Sequence, residues 1–336
     1  MSEKRSAQGW SGRRVLVTGA GGFIGSHLAE ALVREGASVR AFVRYNSRGD
    51  HGWLETAEPE TQRELEVFRG DLANPEAAAG AVAGCEIVLH LGALIPIPYS
   101  YRHPREFVTS NVEGTLNVLE AARREEVTRL LHTSTSEVYG TAQRVPIDEE
   151  HPLHPQSPYA ASKVAADQLA LSYQRSFGTP VVIARPFNTY GPRQSARAVI
   201  PTIVTQALSR EVIELGAVEP TRDFLYVGDT VQGLMSAAAA EGVDGEVINL
   251  GTGVDVSIGD VAERVLRLLE RETPIARDEA RLRPPESEVE RLIADVTKAK
   301  SLLGWEAQVD LDEGLRRTIE WLTGSLGAYK TSLYNV

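Results

Sequence analysis

The stretch Thr18-Gly19-Ala20-Gly21-Gly22-Phe23-Ile24-Gly25 limits what this chain can fold into more than any other. It follows the apolar run Val15-Leu16-Val17 and precedes Leu28, Ala29, Leu32 and Val33, which recur at helical spacing until Gly36. An apolar run, clustered glycines and an amphipathic segment read as a buried strand turning sharply into a helix. Such a unit brings free backbone N–H groups and the positive helix end to one point, where a pyrophosphate can sit. Gly19 allows the tight turn, Gly22 lets backbone approach phosphate, and Gly25 lets the helix pack closely on the strand. The spacing is G-x-x-G-x-x-G rather than G-x-G-x-x-G, but the strand before it and the helix after it supply the context the motif requires.

A second strand, Ser38 to Val43, follows the helix. Where NAD-binding folds place an acid to hold the ribose hydroxyls, this chain has Val43-Arg44-Tyr45-Asn46, with Arg48 close by. Two readings stand: Arg44 meets a 2′-phosphate, which suits NADP, or Arg44 is a solvated charge and Asn46 or Ser47 holds the ribose. Leu65 to Phe68 is a third strand, ending in Arg69-Gly70-Asp71-Leu72, and Glu86 to Leu91 a fourth, running into Gly92-Ala93. Both end in small or polar residues, at the carboxyl ends where open α/β sheets bind ligands. A helix from Asn111 to Arg124, a strand from Arg129 to His132, a helix from Tyr159 to Phe177 and a strand from Val181 to Arg185 continue the alternation. This pattern predicts an α/β fold with a doubly wound parallel sheet.

Beyond Pro186 the pattern loosens. Short strands (Val212 to Leu215, Phe224 to Val227) mix with helices at Ala198 to Ser209 and Asp229 to Ala240. A strand at Glu246 to Leu250 precedes Ser257-Ile258-Gly259-Asp260, a helix start resembling a capping box, and helices near Asp295 to Leu303 and Asp310 to Leu322 close the chain. The expected division is a first domain of residues 1–185 plus about 228–251, and a smaller α+β lobe of about 186–227 plus 252–336. A net charge of −11 offers no basic footprint for nucleic acid. No run is apolar enough to span a membrane, and Met1 to Gly12 reads as a polar, disordered tail. The single cysteine, Cys85, permits no internal disulfide and suits a cytoplasmic protein.

Tyr159-Ala160-Ala161-Ser162-Lys163 puts a phenol and an ammonium one helical turn apart on one face. A phenol of ordinary pKa, about 10, is a poor base at neutral pH. The lysine charge, with a positive nicotinamide ring, is expected to favour the phenolate. Thr135, at the carboxyl end of the preceding strand, can hydrogen-bond the same substrate hydroxyl.

As a set, the glycine loop, Thr135, Tyr159-x-x-x-Lys163 and the chain length resemble an extended short-chain dehydrogenase/reductase acting on nucleotide sugars. The resemblance runs from Arg13 to about Leu322. It implies a Rossmann domain holding NAD or NADP and a smaller lobe holding a UDP-, GDP- or dTDP-linked sugar. Tyr159 would be the base, Lys163 would hold the nicotinamide ribose, and Thr135 would orient the sugar O4. Asp71 and Leu72 would flank the adenine, and Gly19, Gly22, Phe23, Ile24, Gly25, Arg44, Asn46, Leu91 and Ala93 would complete the cofactor site. Asn188, Arg197 and Arg222 would meet the substrate, although Arg222 also reads as a salt bridge between lobes. No metal is called for. The resemblance further implies a homodimer, the helices Asn111 to Arg124 and Tyr159 to Phe177 pairing into a four-helix bundle; the alternative is that both apolar stripes face only their own sheet.

Thr135-Ser136-Glu137 directs the choice of reaction. Sugar-nucleotide 4-epimerases generally need only the hydroxyl residue, whereas a 4,6-dehydratase also needs a base for the C5 proton and help for the departing C6 hydroxyl. Glu137 suits the first of these tasks. The dTDP-glucose dehydratases carry Thr-Asp-Glu, and Ser136 replaces that Asp. Thr-Ser-Glu is similar to GDP-mannose 4,6-dehydratase and to UDP-glucuronate decarboxylases. The stretch from Arg185 to Arg197 and the Tyr-Asn-Val ending resemble the dehydratases of legionaminic-acid synthesis. The implied reaction oxidises C4 as Tyr159 takes the O4 proton, then eliminates water across C5–C6 with Glu137 as base. Hydride then returns to C6, so the cofactor is regenerated each turn and should be held tightly. An epimerase or decarboxylase on the same scaffold is the rival enzyme, and a dinucleotide-sensing protein the rival outside enzymes. Intact Thr135, Tyr159 and Lys163 speak against the last.

Overall fold

Residues 9–329 are described by the computed structural model; the Tyr334-Asn335-Val336 ending lies outside them. The chain opens as β1 (Arg14–Thr18), α1 (Phe23–Arg34), β2 (Ser38–Arg44), α2 (Pro59–Glu64), β3 (Glu66–Gly70), α3 (Pro75–Val82) and β4 (Ile87–His90). It continues through α4 (Ile97–Arg102), α5 (Pro104–Phe107), α6 (Gly114–Arg124), β5 (Arg129–Thr133), α7 (Pro158–Phe177) and β6 (Val181–Pro186). β7 (Asn188–Tyr190), α8 (Val199–Ser209), β8 (Ile213–Leu215), β9 (Thr221–Tyr226), α9 (Val227–Ala239) and β10 (Val247–Leu250) follow. The last elements are β11 (Asp255–Ser257), α10 (Ile258–Leu268), β12 (Ile275–Arg277), β13 (Arg291–Leu292), α11 (Thr297–Leu303) and α12 (Leu311–Gly324).

Seven strands form one sheet in the order β10-β6-β5-β4-β1-β2-β3, with every pairing parallel. Successive β1 side chains point to opposite faces. Val15 and Val17 enter a core shared with Leu28 and Leu32 of α1 and Leu234 of α9, while Leu16 enters a second core with Val118 and Leu119 of α6 and Leu171 of α7. Burial on both faces is why the run reads as continuously apolar. The winding reverses between β1 and β4, which opens a crevice at their carboxyl ends.

Most of the remaining elements gather beyond those ends, while α11 packs on β10 and α9, with Ala299 in the α1-side core. β9 lies between β11 and β13 and also pairs with β7, and β8 pairs with β12. α8, α10 and α12 surround a separate core of Ile203, Val204, Phe224, Val261 and Leu315. β10 nevertheless joins the large sheet beside β6, and α9 packs on α1. Among the described residues no helix is long and apolar enough to cross a membrane.

Three expectations need correction. Residues 9–12 are not loose: Trp10 sits in the α1-side core and the Gly12 amide donates to the Gly36 carbonyl at 2.9 Å. The large apolar ring repays the ordering of the short segment before β1; residues 1–8 lie outside the described residues. The helix expected from Asn111 begins as a π-helical segment, Val108–Glu113, and becomes α-helical at Gly114. The third strand is shifted to Glu66–Gly70, because Leu65 closes α2.

Candidate active site

The glycine loop turns as its spacing requires. Gly19 has a φ of 69°, and a Cβ on Gly25 would run into the Gly19 carbonyl oxygen. Gly22 precedes α1 without a side-chain cap, and the first turn, which holds Phe23 and Ile24, carries no acid. The helix start is therefore open to an anion. Over the loop lies the segment around a short 3-10 turn, Gly52–Thr56, where the Trp53 amide donates to the Gly21 carbonyl at 3.0 Å. Thr18 Oγ1 accepts from the amides of Leu91 (3.0 Å) and Gly92 (2.9 Å), tying β1 to β4 at the reversal point beside Ala93.

Leu72 is buried, its carbonyl accepting from Asn117 Nδ2 at 2.8 Å, while Asp71 accepts from the Ala73 amide at 3.0 Å. The exposed Arg44 lies 3.7 Å from Asp71, at the end of β2. Asn46 is engaged in its own loop: its amide donates to the Asp50 carbonyl at 2.8 Å and its oxygen accepts from the Arg48 and Asp50 amides. The open helix start and the glycine-lined approach fit a dinucleotide's diphosphate, and the absence of an acid at the β2 end leaves room for a charged ribose substituent.

α7 starts at a defined residue. Ser157 Oγ accepts from the Ala160 amide at 3.1 Å and Pro158 occupies the first turn, a combination that fixes a helix start. This sets Tyr159 facing Thr135, whose hydroxyl favours the phenolate form. Thr135 Oγ1 also accepts from the Glu137 amide at 3.2 Å, capping a 3-10 turn over Ser136–Tyr139 in which Ser136 is buried. The Glu137 charge acts on Tyr159, Tyr101 and Arg222. Lys163 is buried beneath Tyr159 and donates to the Thr133 carbonyl at 2.8 Å.

The electrostatics differ from the sequence expectation. Burial raises the Tyr159 pKa, the carboxylates of Glu137 and Asp167 raise it further, and only the Thr135 hydrogen bond opposes them. Lys163 is itself pushed down to about 8 by burial. The chain's own residues therefore do not make a ready phenolate. The positive charge that would do so is left to the oxidised nicotinamide.

On the far side of the crevice, the Asn188 side-chain oxygen is buried without a hydrogen-bond partner. Arg222 is buried on β9, 3.3 Å from Glu288, and its other nitrogen donates to the Thr221 carbonyl at 2.9 Å. The exposed Arg197 donates to Ser195 Oγ at 3.2 Å and touches neither of them through any hydrogen bond. Sequence reasoning passed over Arg283 and Glu288, which lie 3.6 Å apart, with a buried Arg283 nitrogen that has no hydrogen bond. It also passed over Tyr101, whose hydroxyl is 2.6 Å from Ser287 Oγ and links α4 to the second lobe. The run Arg281-Leu282-Arg283-Pro284-Pro285-Glu286-Ser287-Glu288 was the available signal, a dense charge cluster stiffened by two prolines.

Residues 16–318 match the family model described as GDP-mannose 4,6 dehydratase. A probable dTDP-glucose 4,6-dehydratase of Sinorhizobium fredii is 35% identical, the match covering 92% of each chain. A UDP-glucose 4-epimerase of Mycolicibacterium smegmatis is 34% identical over 92% of this chain and 98% of its own. Among solved structures, a double mutant of DesIV, a dTDP-glucose 4,6-dehydratase from Streptomyces venezuelae with NAD bound, superposes with a TM-score of 0.84. Its identity is 29%, covering 94% of this chain and 99% of that one.

Proposed function

This chain belongs to the extended short-chain dehydrogenase/reductase family of nucleotide-sugar dehydratases and epimerases, and on that premise we propose that it works as a nucleotide-sugar 4,6-dehydratase. It is an NAD(P)-dependent enzyme with a Rossmann fold. The observation that carries the dehydratase reading is Glu137, a carboxylate two residues from Thr135 with a charge that reaches Tyr159.

A nicotinamide cofactor, held by the glycine loop and Lys163, would supply the hydride acceptor for C4 and the donor for C6. Every other task falls to side chains. Thr135 orients the C4 hydroxyl, and Tyr159 takes its proton as C4 becomes a ketone. The ketone acidifies C5; Glu137 removes that proton and passes it to the C6 hydroxyl, which leaves as water, and C5 regains a proton from solvent as hydride reaches C6, balancing the one Tyr159 took. Ser136, buried next to Glu137, carries a hydroxyl and no charge, so it can assist the leaving group only as a hydrogen-bond partner. Asn188, Arg197, Arg222 and Arg283 serve the nucleoside diphosphate, Arg222 and Arg283 exchanging Glu288 for the diphosphate charge. Arg44 at the end of β2 favours NADP over NAD. The dinucleotide domain comprises residues 1–185 with about 228–251, the sugar lobe comprises the rest, and the working form is a cytoplasmic homodimer.

The M. smegmatis relative keeps a 4-epimerase reading in play. Purified protein supplied with UDP-, GDP- and dTDP-hexoses separates the two. A product lighter by one water, with no net consumption of cofactor, is expected. A product of unchanged mass, epimeric at C4, or carbon dioxide release from UDP-glucuronate alone, contradicts the dehydratase reading.

A further inference from the structure

Resting on that reading, we propose that Asp167 and His132 are positioning residues for the oxidation step, which together keep the Lys163 ammonium charged and aimed at the site. Tyr159, Lys163 and Asp167 occupy successive turns on one face of α7. Lys163 Nζ lies 3.4 Å from His132 Nε2, and His132 Nε2 in turn lies 3.3 Å from Asp167 Oδ1. His132 and Asp167 are both wholly buried.

The need for a counter-charge follows from where Lys163 sits. Its one short bond is to the Thr133 carbonyl, which is neutral. A buried ammonium without an opposite charge gives up its proton. The groups around it are His90 from β4, His132 from β5, Arg185 from β6, Tyr159 and Asp167 from α7, and Glu137 from the 3-10 turn beyond Tyr159. His90 is held neutral by burial, and His132 is held down to about 4 by burial and by Lys163 itself. Asp167 opposes the burial that pulls Lys163 down. His132 thus spaces two charges without adding a third.

A purely structural role for Asp167 accounts for only half of it. Its Oδ2 accepts from Ser134 Oγ at 2.9 Å and from Arg185 Nη2 at 2.9 Å. Its Oδ1 is buried, makes no hydrogen bond, and is the oxygen turned toward His132. A carboxylate that served Arg185 alone would leave that desolvated oxygen unexplained.

The test follows reduced nicotinamide in a single turnover, from about pH 6 to about pH 10, in wild type, Asp167→Asn, Asp167→Glu and the double variant Asp167→Asn/Arg185→Met. Asp167→Asn is expected to bring the alkaline limb down by about one unit, since Lys163 then loses its proton sooner, so that hydride transfer slows about twofold at about pH 7 and about tenfold above about pH 9. Asp167→Glu should restore the limb. The double variant, which carries the test if the single one does not fold, should keep the shift. Limbs unchanged in the Asp167→Asn protein, or returned to wild type in the double variant, would show that Asp167 serves Arg185 only. A wild-type product that keeps its C6 hydroxyl would instead overturn the dehydratase reading, while the comparison of limbs, common to any oxidation at C4, still decides the proposal.

Discussion

A single carboxylate separates the chemistries open to this scaffold. Thr135, Tyr159 and Lys163 suffice to oxidise C4, and a 4-epimerase would ask for little more. Glu137 stands where its charge reaches Tyr159, Tyr101 and Arg222, which suits a base for the C5 proton. Glu137→Gln should therefore spare C4 oxidation and block elimination. Losing one positioned base costs about two to four orders of magnitude in rate, so the variant should accumulate the absorbance of reduced nicotinamide and form little 4-keto-6-deoxy product. Activity near that of wild type would place the C5 base elsewhere. The Lys163 site makes a related point: a carboxylate one turn further on the same helix, Asp167, opposes the burial that draws the lysine down to about 8.

At the scale of elements, what could be read from the sequence was what is local. The strand, glycine loop and helix of residues 14–34 are contiguous, and Tyr159 and Lys163 share one helix whose start is written in Ser157 and Pro158. The Tyr159, Lys163, Asp167 repeat was equally visible in spacing, but an aspartate in a helix carries no sign of what it will face. Tyr101 and Ser287 meet across a separation of 186 residues, and no local pattern announces such a pair. Trp10 was misread because a polar segment hides the one ring that anchors it. The stripes of α6 and α7 are partly spent inward, Val118, Leu119, Ala170 and Leu171 facing the sheet. Val108 and Leu116 remain exposed along the π segment and α6, and these are the residues on which a four-helix dimer would close. Sedimentation at micromolar concentration should show a dimer, and Leu116→Glu should shift it to monomer. A wild-type monomer would assign both stripes to the fold alone.

For the whole molecule, the large sheet presents its carboxyl ends to a crevice, and the second lobe places Asn188, Arg222 and Arg283 across from it. On the proposed reading the first lobe would supply redox and proton chemistry, and the second would hold the nucleoside diphosphate. β10 and α9 return from the second half of the chain to the first lobe, so the chain crosses between the lobes more than once and they are not independent beads. On the same reading the hydride taken from C4 is delivered, once water has left, to C6 of the same sugar. A nucleotide hexose carrying deuterium at C4 tests that claim directly, with the label located in the product by mass spectrometry and NMR. The account predicts deuterium at C6 of a 4-keto-6-deoxy sugar, with none in released cofactor. Deuterium found again at C4, with the C6 hydroxyl intact, would contradict it.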